Sequence, residues 1–384
     1  MISYILWDGS SELFSLGQFT FRWSTLLLVL AFLLCRQILL HIYKKEGRPF
    51  KGVDSLTAYL IIATLLGARL GYVIFYQPEL IWSKPIDIFL PFQFQPVFQF
   101  TGMKGFSIHG GTLGILIALW IFGRRNKQGY HFLQALDRIA ILAALAGALI
   151  FTGNFLNSEI AGKPTDSASG TVFIKPVTKG LLKIPCCIMR NPNGNNPLDF
   201  IKAKKGETLS KSAEGHKSIN LYLFFKPGAS VQLIDEFLRG DVKTFLYDMS
   251  QFVYEPGTEP LHYTIFEEAP GDYVVRVTTI GIARLPVQLF ESITCLLLFI
   301  VLFWYWNNRK ITTPPGRIFG FFMILFWSLR FAFENLKEPS FEKGMALHRG
   351  QILDIPLILM GVVILILSYG KNAENKSLDE SGGL

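Results

Sequence analysis

The chain has 384 residues, 50% of them hydrophobic and 17% charged, with a net charge of +8. Soluble proteins carry roughly 25% charged residues, and here the shortfall gathers into long apolar runs, which excludes a chain solvated by water throughout. The basic excess follows directly on those runs, in His41–Lys45, Arg124–Lys127 and Asn307–Lys310; Lys and Arg so placed set membrane orientation, and no nucleic-acid partner is expected.

Seven membrane-spanning helices are predicted, each near the ~20 residues that cross a bilayer core. The first runs from Phe19 to Ile42, closed by the basic stretch Lys44 to Lys51, and the second from Leu56 to Phe75. A loop rich in Pro, Phe and Gln follows, Tyr76 to Lys104. The third span, Phe106 to Phe122, is short and ends at Gly123-Arg124-Arg125; the fourth covers Ala135 to Phe155. Lys163 to Arg284 has another character. Turn signals (Asn191-Pro192-Asn193-Gly194, Lys226-Pro227-Gly228, Glu268-Ala269-Pro270-Gly271) separate β-like runs at Thr171–Ile174, Leu221–Phe225 and Tyr273–Val277. With a helical pattern over Val231–Tyr247, these predict a small α+β domain. The fifth span covers Val287 to Trp306, the short sixth Ile318 to Phe333 and the seventh Ile352 to Tyr369. An outside N-terminus puts the clusters at Lys44, Arg124, Arg309 and Lys371 all inside, with the C-terminus.

The expected fold class is therefore an all-α polytopic membrane protein with a small α+β extracytoplasmic insertion. Its membrane domain comes in two parts, 1–162 and 285–370, around the insertion, 163–284, and a polar tail, 371–384, is expected to be disordered. No removable signal peptide is expected, because the N-terminus lacks a basic n-region and a small-residue cleavage site. Cys35 and Cys295 fall in apolar runs as packing residues. Cys186 and Cys187 are neighbours, which seldom pair with each other. No metal-ligand spacing occurs.

Polar groups at membrane depth are costly and tend to mark function. Gly105–Gly114 opens the third span around His109, with Gly110 and Gly111 permitting close backbone approach. An imidazole there can act as a base or simply bond a neighbouring helix. Gly153–Gly162 presents Asn154, Asn157 and Glu159 at the end of the fourth span, as headgroup ligands or as helix-end caps. Arg284 stands at interface depth, where it binds a headgroup or snorkels. Arg330 and Glu334 share a helix face; Arg330 and Lys337 can hold a lipid phosphate or join a structural ion-pair network.

Six pieces in order carry a resemblance: Gly67-Ala68-Arg69-Leu70-Gly71-Tyr72, Ser107-Ile108-His109-Gly110-Gly111, Gly153-Asn154-Phe155-Leu156-Asn157-Ser158-Glu159, Pro286-Val287-Gln288-Leu289-Phe290-Glu291, Arg330-Phe331 through Glu338-Pro339, and Gly350-Gln351-Ile352-Leu353-Asp354-Ile355-Pro356. With them the chain resembles the prolipoprotein diacylglyceryl transferases along nearly all its length outside Lys163–Arg284. The Tyr76–Lys104 loop and Lys163-Pro164-Thr165-Asp166 look like the Bacteroidetes version. The resemblance implies a multi-pass protein of the bacterial inner membrane. It would move diacylglyceryl from phosphatidylglycerol to the lipobox cysteine thiol of a preprolipoprotein, forming a thioether and releasing glycerol phosphate, with no cofactor. The partners implied are phosphatidylglycerol, preprolipoprotein signal peptides and membrane lipid. His109 would be the base or thiol-positioning group. Arg330 would hold phosphate charge, oriented by Glu334, and Asn154, Asn157 and Glu159 would shape the headgroup pocket.

The chain departs from the family where an arginine is usual, at Phe151. It also has Ser24 and Phe326 in place of tyrosines, and Leu285 and Phe290 in place of a histidine and a tyrosine. Arg69 or Arg284 would then have to supply the missing cation. These departures keep a second function open, a non-catalytic relative that binds lipid or signal peptide.

Overall fold

The computed structural model describes residues 4–16, 19–48, 52–83, 85–88, 92–93, 99–100, 105–125, 132–159, 162–184, 196–207, 213–338 and 347–381. Cys186, Cys187 and the turn at 191–194 lie outside them. Seven long helices occur among the described residues: α1 Trp23–Lys45, α2 Val53–Tyr76, α3 Ile108–Arg125, α4 Phe132–Leu156, α5 Val287–Arg309, α6 Arg317–Glu334 and α7 Arg349–Ser381. Five are long and apolar enough to cross a membrane, namely α1, α2, α4, α5 and α7 as far as Gly370, so the chain is a polytopic membrane protein. The apolar part of α3 is shorter, and α6 places Arg317, Arg330 and Glu334 within 18 residues.

Two expectations are corrected. The first helix starts at Trp23, not Phe19, because Phe19–Arg22 is a strand hairpinned onto Glu12–Leu16. And α7 continues to Ser381, through the stretch expected to be a disordered tail; after Gly370 no Pro or Gly occurs before Gly382 to stop it.

The chain divides into two compact units. One holds residues 26–151, 291–334 and 339–384; the other holds 1–25, 152–290 and 335–338. These boundaries differ from the expected 1–162, 163–284 and 285–370. The reason is backbone pairing. Ile5–Trp7 adds a parallel strand to Thr171–Phe173, and Gly162 bridges Lys337 while Lys163 N donates to Leu336 O at 2.9 Å.

In the helical unit, α2 and α3 touch backbone to backbone. A Cβ on Gly110 would lie 2.3 Å from Gly67 O and 2.6 Å from Gly71 Cα, and one on Gly114 would lie 2.3 Å from Ala63 O. Close approach through small residues substitutes for the hydrophobic drive that lipid removes. Away from the glycines, Leu39, Ile42, Tyr43, Trp306, Met323 and Trp327 are all 2% exposed or less. Two buried carboxylates tie helices together. Glu46 Oε1 accepts from Arg138 Nε (3.0 Å), Arg138 Nη2 (2.6 Å) and Trp306 Nε1 (2.8 Å). Asp137 caps α6 by accepting from Gly316 N and Phe319 N, both at 2.8 Å. Paired this way, charges are tolerated in a low-dielectric interior.

The other unit is α+β. Its sheet contains β1 Ile5–Trp7, β2 Thr171–Phe173, β3 Leu198–Lys205, β4 His216–Phe225, β5 Val253–Tyr254, β6 His262–Ala269 and β7 Asp272–Arg284. The order is β1-β2-β7-β4-β3, with β5 and β6 also on β7; every pairing except β1 with β2 is antiparallel. Alternation along β4 and β7 sends Ile219, Leu221, Leu223, Val275 and Val277 inward. There they meet Ile234, Phe237, Leu238, Val242 and Leu246. Those residues come from the helical run predicted at Val231–Tyr247. It starts from a Ser230 cap whose Oγ accepts from Leu233 N and contains a π turn at Leu238–Val242. Gly271, at φ +84°, makes the turn between β6 and β7, where a side chain would be strained.

Candidate functional site

In the helical unit the site begins at Ser107. Its backbone N donates to Ala68 O at 2.9 Å, and its hydroxyl accepts from Gly110 N at 3.4 Å, an N-cap for α3. The cap puts His109 in the first turn, 3% exposed. Its ring stacks on Trp327 with centroids 5.0 Å apart, and its Nε2 lies 2.8 Å from Asp354 Oδ1. Asp354, on α7, is wholly buried. The same Oδ1 is 3.9 Å from Arg330 Nε, and Arg330 Nη1 is 3.4 Å from Glu291 Oε1. Trp327 and Arg330 are three residues apart on α6, so one face of that helix meets both the imidazole and its carboxylate.

Imidazole, carboxylate, guanidinium and carboxylate therefore form one series, and His109 and Arg330, the two predicted catalytic residues, are joined through Asp354. With His109 neutral the four groups carry one net negative charge; with it protonated they sum to zero. An imidazole bonded to a buried carboxylate has the arrangement of a general base. Arg330 Nε makes no hydrogen bond among the described residues, so the guanidinium keeps a donor to offer.

Beside Arg330 and Glu291 lies a small, half-open cleft, walled by Phe151, Thr294, Cys295, Leu298, Phe326, Leu329 and Phe333. Phe151 and Phe326, where the resemblance expects arginine and tyrosine, thus make an apolar wall next to the ion pair. Arg69, one of the two arginines expected to supply the missing cation, donates to Ile88 O at 2.9 Å and Gly105 O at 3.5 Å. Glu334, expected to orient Arg330, lies against Gly350, where a Cβ would come within 3.1 Å of its Oε1; Glu291 and Asp354 also place carboxylates beside the guanidinium. Gly110 packs on α2, as described; Gly111 faces Ala68 and Thr64 with room for a Cβ.

Asn154, Asn157, Glu159, Arg284 and Lys337 belong to the α+β unit. The end of α4 is closed by Glu159 N donating to Asn154 O at 3.0 Å. Asn157 Nδ2 donates to Glu159 Oε1 at 2.9 Å and to Ser24 Oγ at 2.7 Å. Ser24, where the resemblance expects a tyrosine, thereby offers an oxygen to this amide. Arg284 is 3% exposed and does not snorkel. Its Nη1 donates to Glu338 Oε2 at 2.7 Å and Gly162 O at 3.1 Å, and its Nε to Gln251 O at 2.9 Å. Lys337 is buried beside the same strand-like bridge. Further along this unit, Lys217 hydrogen-bonds Asp166 at 2.6 Å and holds its carboxyl below the usual range. Burial lowers His216, against the pull of Asp166.

Sequence reasoning passed over Asp354 and Glu291 as site residues, although both stand in the motifs it quoted. A lone carboxylate in an apolar helix was the available signal.

A family model described as prolipoprotein diacylglyceryl transferase matches residues 11–367. The phosphatidylglycerol–prolipoprotein diacylglyceryl transferase of Tolumonas auensis is 27% identical over 371 residues, 96% of this chain and 99% of its own. The protein of that name from Bacteroides fragilis is 25% identical over 376 residues, 97% of this chain and 98% of its own. The one from Chloroherpeton thalassium is 36% identical over 173 residues, 45% of this chain and 60% of its own.

Proposed function

The chain belongs to the prolipoprotein diacylglyceryl transferase family, and from that premise we propose how its own residues transfer diacylglyceryl from phosphatidylglycerol to the lipobox cysteine of a preprolipoprotein. The observation that carries the reading is the buried series His109–Asp354–Arg330–Glu291 beside the cleft.

A carboxylate accepts, so Nε2 of neutral His109 donates its proton to Asp354 and leaves the lone pair on Nδ1. Nδ1 takes the proton of the acceptor thiol, and Asp354 steadies the imidazolium that results, as a buried aspartate does for a catalytic histidine. The thiolate is the nucleophile. Its sulfur bonds to the terminal glyceryl carbon of the diacylglyceryl group as the bond from that carbon to the phosphate oxygen breaks. Glycerol phosphate leaves with the bonding electrons, and the proton held on His109 is released with it. Arg330, with Nε free of hydrogen bonds, holds the departing phosphate charge, where water exclusion strengthens the interaction. The apolar wall formed by Phe151, Phe326, Leu329 and Phe333 suits an acyl chain. Asn154, Asn157, Glu159, Arg284, Glu334, Lys337, Gly110 and Gly111 support the lipid-binding surfaces, by holding helix ends and helix contacts in place.

The finer topology belongs to the same reading. Seven spans run with the N-terminus outside, the 163–284 region lies on the outer face, and the chain sits in the bacterial inner membrane, where signal peptides and phosphatidylglycerol meet. The basic ends of α1 and α5 support it, both closing on Lys or Arg.

Phe151 and Phe326 in the cleft favour a second reading, a relative that binds lipid or signal peptide without turnover. Complementation of a strain depleted of its own transferase separates the two. The chain is expected to restore growth, and His109→Gln and Arg330→Ala to fail. Failure of the unaltered chain, inserted at normal levels, would leave only the binding reading.

A further inference from the structure

Arg317 opens α6 and is 8% exposed. Its Nε and Nη2, the two donors on one edge of the guanidinium, have no hydrogen-bond partner among the described residues. Thr313 Oγ1, one turn earlier at 2% exposure, and Ser368 Oγ, at 3%, are likewise without one. They belong to two segments that pack on each other, the start of α6 and the end of the apolar part of α7. The Arg317 guanidinium lies 4.3 Å from the centroid of the Tyr369 ring, next to Ser368 in sequence. Ile364, one turn before Ser368, sits 3.0 Å from where a Cβ on Gly316 would be. The nearby carboxylate, Asp137, is already bonded to Gly316 N and Phe319 N.

A buried cation with no hydrogen-bonded counter-charge is disfavoured, and an aromatic face compensates it only in part. The unpaired edge has the fork geometry that fits two oxygens of one phosphate. Position narrows the source. Thirteen residues separate Arg317 from Arg330, about 20 Å along a helix that rises about 1.5 Å per residue. On the seven-span topology proposed above α6 crosses the membrane, so Arg317, at its start, lies toward the boundary opposite Arg330. At that second boundary the abundant phosphate is the phosphodiester of a phospholipid.

We propose that Arg317, flanked by Thr313 and Ser368, is a phosphate site filled by a phospholipid headgroup, distinct from the reaction site at Arg330. The lipid supplies a bonded counter-anion, which Arg317 has from none of the described residues, and so fastens the start of α6 to the end of the α7 span.

The test uses the full chain, stripped of lipid in a maltoside detergent. Its thermal midpoint is followed against dihexanoyl phosphatidylcholine, against dihexanoylglycerol, and against inorganic phosphate. The first has the phosphodiester without the glycerol headgroup of the donor lipid; the second has the chains without phosphate. The expected result is a saturable rise with the phospholipid and none with the diglyceride. Arg317→Gln should need about tenfold more phospholipid for half the rise, the loss of one charge-assisted fork. Arg317→Lys, which keeps the charge and protects against a merely misfolded variant, should also shift, because an ammonium cannot form the fork. A matching rise with inorganic phosphate alone, abolished in the Arg317 variants, would support the phosphate site and assign it to the free anion. Equal responses of the unaltered chain and both Arg317 variants, or a diglyceride effect as large as that of the phospholipid, would overturn the proposal.

Discussion

Replacing Asp354 by Asn keeps the size of the side chain at the centre of the buried series and removes its charge. In the proposed reaction that charge faces an imidazolium only after the thiol has given up its proton, so the loss falls on the transition state and not on lipid binding. The contact is 2.8 Å between Nε2 and Oδ1; with charge centres about 4 Å apart and an effective dielectric near 20, the attraction is about 4 kcal/mol. Asparagine's amide dipole restores part of that, leaving a loss of about 2–4 kcal/mol, or roughly 30- to 1000-fold in rate. The assay is incorporation of labelled diacylglyceryl into a lipobox peptide by purified protein in mixed micelles, with kcat and KM for phosphatidylglycerol measured separately. Asp354→Asn should lower kcat within that range and leave KM within a few-fold. Turnover above half that of the unaltered protein would refute the reasoning, because a carboxylate so placed could not then be steadying the proton acceptor.

Three further outcomes are expected. Gly110→Ala places a methyl 2.3 Å from Gly67 O, and should lower stability by about 1–3 kcal/mol, read as a fall in thermal midpoint; an unchanged midpoint would show that α2 and α3 do not pack as described. Glu46→Gln removes the nearer of two carboxylates beside Arg138, Asp137 remaining at 3.7 Å, and should cost about 1–3 kcal/mol, seen as a lower yield of folded protein in detergent; the Leu substitution at Glu46 should be no better, since Arg138 stays buried. The α+β unit should lose stability in acid. His216 is lowered by burial, so its neutral form belongs to the fold; its contribution is complete above the ordinary histidine value of about 6.5 and is lost as pH falls from there toward the folded value. Asp166, lowered by Lys217, contributes above the ordinary carboxylate value of about 3.9 and loses it at still lower pH. His216→Gln should flatten the decline in unfolding midpoint between pH 7 and 5, and a slope that persists in this variant would exclude His216 as its source.

The helical elements were legible because lipid demands long apolar runs, and Lys or Arg mark where α1 and α5 end. The start of α1 was not: Phe19–Arg22 alternates aromatic and polar residues directly against the apolar run of the helix, and only pairing with Glu12–Leu16 makes it a strand. The grouping of the N-terminal strand with Thr171–Phe173 was also hidden, since three residues, Ile5–Trp7, have no periodicity of their own. At the site, His109 and Arg330 stood out as polar groups in apolar surroundings, and the structure joins them. The choice of Glu334 as partner for Arg330 rested on helical spacing, which fixes the face but not which neighbouring helix meets it. Asp354 on α7 and Glu291 on α5 reach the guanidinium from other parts of the chain, a relation no local pattern encodes.

The parallel pairing of Ile5–Trp7 with Thr171–Phe173 also dictates an order of events during biogenesis. The earlier strand leaves the ribosome roughly 170 residues ahead of its mate, on the order of 10–30 s at cellular elongation rates. Over that interval α1 to α4 are made while Ile5–Trp7 waits unpaired. A bulky fusion placed just ahead of this strand would therefore be expected to interfere with assembly long after the first helix had been inserted.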